Sequence, residues 1–442
     1  MTKPSNPAKN LHPLADFDEI HYPRPEPTDF EILAANAMTR RRFLGGSVAF
    51  GLSAFVLGGT SWSSLVEAAT PVRRLAFKPV AANSLDTVTV PEGYNWHVVG
   101  SWGDPLWSTG PAFDHATRGT GASQETSMGD NTDGMAAFSH NGHTIMAQNN
   151  EYVNLNLMFG NREGGKPQNA DDVRKCKAGH GVTIFEMTQT DGKWQIVKDS
   201  PFNRRITADS PMEITGPAAG HDWMKTQSDP TGTRSLGTWN NCGNGRTPWG
   251  TYLTCEENFN GYFSSSDKNL KMPDAFVRYG IAHDDAGYGW AMTDERFDVA
   301  KHPNEPNRAG YIVEIDPANP ASTPKKRTAL GRFKHENAEL VVANDGHVVV
   351  YLGDDERGEF IYRFVSDGIM SAGADNSELL ANGKLYVAKF HDNGKGEWLE
   401  LTPQSTGMKS HAEICIHTRQ AASAVGATTM DRPEWISTNP NK

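Results

Sequence analysis

Residues 240–258 hold two cysteines, two adjacent glutamates and four asparagines in one short block. Asn240-Asn241-Cys242-Gly243 reads as a turn that carries a thiol. Thr247-Pro248-Trp249-Gly250 leads into a strand that ends at Cys255-Glu256-Glu257-Asn258. Successive side chains on a strand point to opposite faces. One of Glu256 and Glu257 therefore faces a shared site while the other braces a loop. Two like charges side by side are unfavourable unless a cation or an arginine offsets them. Oxygen-rich clusters suit calcium, and a thiolate added to carboxylates suits a transition metal. A solvated acidic turn is the alternative.

Four further clusters carry the same residue types. Lys334-His335-Glu336-Asn337-Ala338-Glu339 spaces His335 and Glu339 as ligands on a helical turn, but a zincin needs a second His at 339. Gly353-Asp354-Asp355-Glu356-Arg357 is either a calcium loop or a charged hairpin. Asn149-Asn150-Glu151-Tyr152 follows a strand, so Glu151 is either a ligand or a surface turn residue. Asp431-Arg432-Pro433-Glu434-Trp435 offers a guanidinium fork that matches phosphate or carboxylate. An arginine beside acids is also an ordinary salt bridge.

The four cysteines form no Cys-x-x-Cys pair, which argues against iron–sulphur clusters and zinc ribbons. A Cys242–Cys255 disulfide, buried free thiols and a metal thiolate all stay open. The net charge of −11, with 53 acidic residues and no Lys/Arg stripe, argues against a nucleic-acid partner.

The elements that must position these groups are short strands. Runs rich in Val, Ile, Tyr and Phe recur between Gly and Asn turns. Strands are predicted at 96–99, 144–147, 181–187, 194–198, 250–255, 310–315, 347–352, 359–365, 384–389 and 398–401. The turn at Asp191-Gly192 joins one hairpin, and residues 353–358 join another. Short helices are predicted at 410–418 and 418–425. Residues 260–310 read as a long irregular insertion, more often functional than not. The expected fold is all-β: a propeller, or alternatively a sandwich, with long inserted loops and a few short helices.

The N-terminal part reads as an address. Residues 1–38 are a polar, Pro-rich disordered leader. Residues 39–68 are a twin-arginine signal peptide: Arg40-Arg41-Arg42-Phe43-Leu44, a glycine-diluted apolar run, and cleavage after Ala68. The run is too short and too weakly apolar for a stable membrane anchor, which needs roughly 20 strongly apolar residues. Residues 69–442 form the folded domain. The chain ends on Glu434-Trp435-Ile436-Ser437 and a turn with no returning strand. A propeller must close to remove its edges, so a C-terminal truncation with the final strands missing is expected.

In these motifs the sequence resembles the PhoX family of alkaline phosphatases. The resemblance runs from the signal to residue 435 and is most specific at residues 240–258. Asn203-Arg204-Arg205-Ile206-Thr207, Thr215-Gly216-Pro217-Ala218-Ala219-Gly220-His221 and the clusters at 335–339, 353–355 and 431–435 support it. It implies a propeller of about six blades whose channel holds Fe3+ and Ca2+, and hydrolysis of phosphate monoesters outside the cytoplasm by a monomer. It implies that Cys242 binds ferric iron. Glu336 and Glu434 would be carboxylate ligands, with at least one more from Glu256 and Glu257. Glu151 and Asp355 are further ligand assignments, and Arg432 would grip the substrate phosphate. The twin-arginine translocation machinery would be its export partner. A propeller that binds ligands without catalysis and a phosphodiesterase of the same fold are the competing readings.

Overall fold

The computed structural model describes residues 28–35 and 77–439. Arg40–Arg42 and the cleavage position lie outside the described residues. Strands dominate and helices are few and short, as expected of an all-β chain. No described helix is long and apolar enough to cross a membrane.

The first sheet contains β1 (Thr132–His140), β2 (His143–Asn150), β3 (Gly181–Thr190), β4 (Lys193–Ile196) and β5 (Arg204–Ile206). Its order is β1-β2-β3-β4, with β5 also on β3. Asn141-Gly142 and Asp191-Gly192 make the two tight turns. All four residues have positive φ, which two-residue hairpin loops require. The second sheet contains β6 (Pro211–Thr215), β7 (Arg234–Leu236), β8 (Asn241–Arg246), β9 (Tyr252–Glu256), β10 (Ile312–Ile315) and β11 (Lys325–Arg327). Its order is β7-β6-β11-β10-β9-β8, with β6 and β11 parallel. The third sheet runs β12 (His335–Val342), β13 (His347–Asp354), β15 (Ile361–Ile369), β16 (Gly383–Phe390) and β17 (Gly396–Glu400). A two-stranded ribbon pairs β14 (Arg357–Glu359) with β18 (Met430–Asp431).

Nine of the ten predicted strands overlap these elements. Residues 96–99 join no ladder. The predicted helices stand at His411–Ile416 and Thr418–Ala424. Residues 260–310 include turns of 3-10 helix and one short helix, and several of their aromatic side chains pack in a core. Tyr262 stacks on Tyr288 at 4.4 Å, and both bury with Trp239, Trp290 and Phe297.

Residues 29–35, expected to be unstructured, form a helix. Thr28-Asp29-Phe30-Glu31 is a capping box. The Thr28 amide donates to Glu31 Oε2 at 2.7 Å, and the Glu31 amide donates to Thr28 Oγ1. The Phe30 ring packs edge-on against Phe390, and its amide donates to the Thr429 carbonyl.

Candidate metal centre

The edge strand β8 approaches the edge strands β1 and β12, and each of the three is bulged at the point of approach. Asp133–Gly134 of β1 faces the single residue Asn149 of β2. Cys242–Gly243 of β8 faces Cys255 of β9, and Glu336–Asn337 of β12 faces Gly353 of β13. A bulge bends its strand and re-aims a side chain. Here the first bulged residue is each time a ligand type: Asp133, Cys242 and Glu336. Two glycines let the backbones close up. A Cβ on Gly134 would stand 2.7 Å from the Gly243 carbonyl carbon, and one on Gly243 would overlap the Glu336 carbonyl oxygen.

Beyond each bulge the ladder resumes for one pair: Thr132 with Asn150, Asn241 with Glu256, His335 with Asp354. The next residue of the second strand is an acid in all three cases: Glu151, Glu257 and Asp355. Alternation turns the last paired residue to the opposite face, where a cation fixes it. Asn150 Oδ1 accepts from Arg205 at 2.8 Å. Glu256 Oε1 accepts from the buried Lys326 at 2.7 Å, and Asp354 Oδ1 from the buried Arg419 at 2.6 Å. One construction, a bulge plus an anchored strand end, thus delivers five carboxyls and a thiol to one region.

β18 brings a fourth contribution, Arg432 and Glu434. Arg432 donates Nε and Nη2 to the two oxygens of Asp355, at 3.0 and 2.6 Å. Its φ of 54° is sparsely populated by residues other than glycine. The ligand atoms fall into two groups, Asp133–Glu151–Cys242 and Glu336–Asp355–Glu434, with all atoms of a group within 4.8 Å of one another. Cys242 links them. Its Sγ lies 3.4 Å from Asp133 Oδ2 and 3.3 Å from Glu336 Oε2.

The charges are badly matched without ions. Burial pushes Glu151 well up, and Asp133 adds to it. Burial, then Asp355 and Glu336, raises Glu257. Burial, then Asp355 and Glu434, raises Glu336 to about 8. Asp355 is raised by burial although Arg432 opposes this. The Cys242 thiol is pushed well up by burial and by Glu336. Arg432 is held further in its charged form by its bonds to Asp355. Six carboxyls and a thiol around one guanidinium are a donor set that fits multivalent cations.

The structure brings together Cys242, Glu336, Glu434, Glu151 and Asp355, and places Glu257 within electrostatic reach of them. It places Glu256 elsewhere. Its second oxygen accepts the amides of Gly310 and Tyr311, at 2.8 and 3.1 Å, so Glu256 is the loop brace of the adjacent pair. Breaking a buried ion pair costs about 3–5 kcal/mol. Glu256→Gln is therefore expected to lower the denaturant midpoint clearly. Unchanged stability with lost ion binding would return Glu256 to the site.

Cys242 sits in a strand, not a turn, and all four cysteines are buried free thiols, so Cys242 and Cys255 form no disulfide. Cys255 faces an apolar core with Leu253 and Ile312. His335 is also buried, with Nε2 3.1 Å from the Gly331 carbonyl, and stands apart from the ligand groups. Sequence reasoning missed Asp133. The available signal was a ligand type followed by glycine, which Asp133-Gly134 shares with Cys242-Gly243.

The sequence profile of alkaline phosphatase PhoX matches residues 75–442. Comparison with curated protein sequences finds none that matches. Among solved structures, Pseudomonas fluorescens PhoX in complex with vanadate, a transition state analogue, is 50% identical, with a TM-score of 0.80. The alignment covers 83% of this chain and 66% of that one. The chain belongs to the PhoX family of alkaline phosphatases.

Proposed function

We propose that the chain hydrolyses phosphate monoesters outside the cytoplasm and releases inorganic phosphate. The observation that carries this reading is the Cys242 thiol, which belongs to one group of three candidate ligand side chains and lies 3.3 Å from Glu336 Oε2 of the other. Family membership and the vanadate complex of the P. fluorescens relative support it. Fe3+ at the thiolate group and Ca2+ at the all-carboxylate group match the donor types. Bound there, the ions supply positive charge for the phosphate oxygens and make water at the site more acidic. Asp133, Glu151, Cys242, Glu336, Asp355 and Glu434 would hold them, with Glu257 adding negative charge beside both groups.

Arg432 is the clamp in this reading. Its side chain is half exposed at the rim, and its backbone is held at positive φ. Backbone strain of this kind persists where the surroundings over-determine it, and it clusters at functional sites. Were Asp355 to hold an ion, the Arg432 fork beside it would be available to a phosphate. The sheets would be blades of a six-bladed propeller, exported folded through the twin-arginine route as a monomer without a membrane anchor.

The test uses p-nitrophenyl phosphate. Removing one preorganised donor to a developing charge costs about 10²–10³-fold in rate. Arg432→Ala is expected to lose that much in kcat/KM. Arg432→Lys recovers only part, because an ammonium lacks the planar fork. Full activity in Arg432→Ala sinks the clamp. Faster hydrolysis of a bis-ester than of the mono-ester would move the assignment to a phosphodiesterase, and fractionation of expressing cells reads the location.

A further inference from the structure

The motif Asn149-Asn150-Glu151 carries one residue that the proposed chemistry leaves unused. Asn149 is fully buried. Both ends of its carboxamide are hydrogen-bonded. Nδ2 donates to the carbonyls of Cys242 and Gly243, at 2.6 and 2.8 Å. Oδ1 accepts from Thr254 Oγ1 at 2.7 Å and lies 2.9 Å from the Tyr252 hydroxyl. The Tyr252 hydroxyl also lies 2.7 Å from the Gly134 carbonyl. An amide has two donors and two acceptor positions; both donors are used, and the oxygen accepts from Thr254 and shares the single Tyr252 proton with the Gly134 carbonyl. The orientation is forced, since a flipped amide would set its oxygen against two carbonyl oxygens.

These bonds tie together both bulges of the thiolate group. Asn149 is the residue that faces the Asp133–Gly134 bulge on its own hairpin. Its side chain reaches across to the Cys242–Gly243 bulge of the next sheet. A bulge interrupts the ladder and leaves backbone groups in need of partners. The two carbonyls that flank the Cα of Gly243 are held from one point, which fixes the peptide that carries the thiol.

We propose that Asn149 is a positioning residue for the Cys242 thiol: it locks the bulge so that Sγ faces Asp133 and Glu336 and is ready for a metal ion. This rests on the metal reading of Cys242 given above. A ligand is oriented by what holds it, and loss of such partners typically weakens metal binding about 10–100-fold.

The experiment loads the full chain with Co2+ and follows the thiolate-to-cobalt charge-transfer absorption during titration. Circular dichroism and thermal melting of the ion-free protein run alongside. Asn149→Ala is expected to raise the Co2+ midpoint about tenfold or more. Asn149→Asp puts an anion against both carbonyls and is expected to act at least as strongly. Thr254→Val is nearly isosteric and removes the hydroxyl that donates to Asn149 Oδ1 and accepts from Asn241 Nδ2. It is expected to shift the midpoint in the same direction, by less, on an intact core. A full band at the unsubstituted midpoint in Asn149→Ala and Thr254→Val overturns the positioning role and leaves the metal reading standing. No thiolate band in the unsubstituted chain overturns the metal reading itself, and the positioning role with it.

Discussion

Cys242→Ala is expected to remove bound iron and abolish turnover of p-nitrophenyl phosphate, while the ion-free chain still folds. The effect should exceed the about 10–100-fold loss that follows removal of a mere outer partner, because Cys242 is the one soft donor of the two groups and its Sγ contacts a carboxylate of each. Without an ion, burial and Glu336 keep the thiol protonated, so it supplies one weak S–H bond to Asp133 or Glu336. Its loss costs little folding stability. Facing a bound ion, the Cys242 thiol would lose its proton and serve as a ligand. Cys242→Ser tests the same point with almost the same shape, since a serine hydroxyl keeps its proton. Metal analysis of the purified protein, set beside its melting curve, separates lost ligation from misfolding. Normal iron content or normal turnover in Cys242→Ala would sink the assignment.

The strands that build the scaffold are legible in the sequence, and the strands that carry the ligands are much less so. β13 is an unbroken apolar run of Val, Tyr and Leu, β15 alternates buried Tyr and Phe with more exposed residues, and both stand where residue type predicts. β8 is Asn-Cys-Gly-Asn-Gly-Arg, which no strand preference would pick. It is a strand because its glycines let three backbones approach, a tertiary reason that a local reading cannot see. The same holds for β12, where His335 and Glu339 suggest a helical turn until the bulge at Glu336–Asn337 is known. Asp133 was lost with β1, whose Gly134, Ala136 and Ala137 weaken the alternation. The Glu256–Glu257 pair was read correctly as divided between two faces, but only the partners of Glu256 show which residue takes which face. The leader helix was missed although its capping box stands in the sequence, because Pro-rich composition dominated the reading.

The acid cluster should give the ion-free chain an inverted pH dependence, in a sense opposite to that of most folded proteins. Glu336 has an ordinary value of 4.5 and is raised to about 8 in the fold, by burial, Asp355 and Glu434. Glu151, Glu257 and Asp355 are raised as well. A carboxyl raised on folding binds more protons folded than unfolded between its two values. Stability therefore falls as pH rises through that window, and for Glu336 the window runs from about 4.5 to about 8. Glu336 alone should cost roughly 2–4 kcal/mol between pH 5 and pH 8. Carboxyls lowered in the fold act the other way and set the acid limit. Asp294, held near 2 against burial chiefly by Arg296, loses its contribution only below about pH 4. With EDTA present, the melting temperature should thus be highest near pH 5 and decline toward pH 8. Calcium replaces the protons, so it should stabilise most at pH 8 and release protons on binding. Glu336→Gln is neutral at every pH and should flatten much of the decline under EDTA while weakening the calcium effect. A melting temperature that stays level or rises from pH 5 to pH 8 under EDTA would show that these carboxyls ionise without ions, and that the cluster is not built around cations.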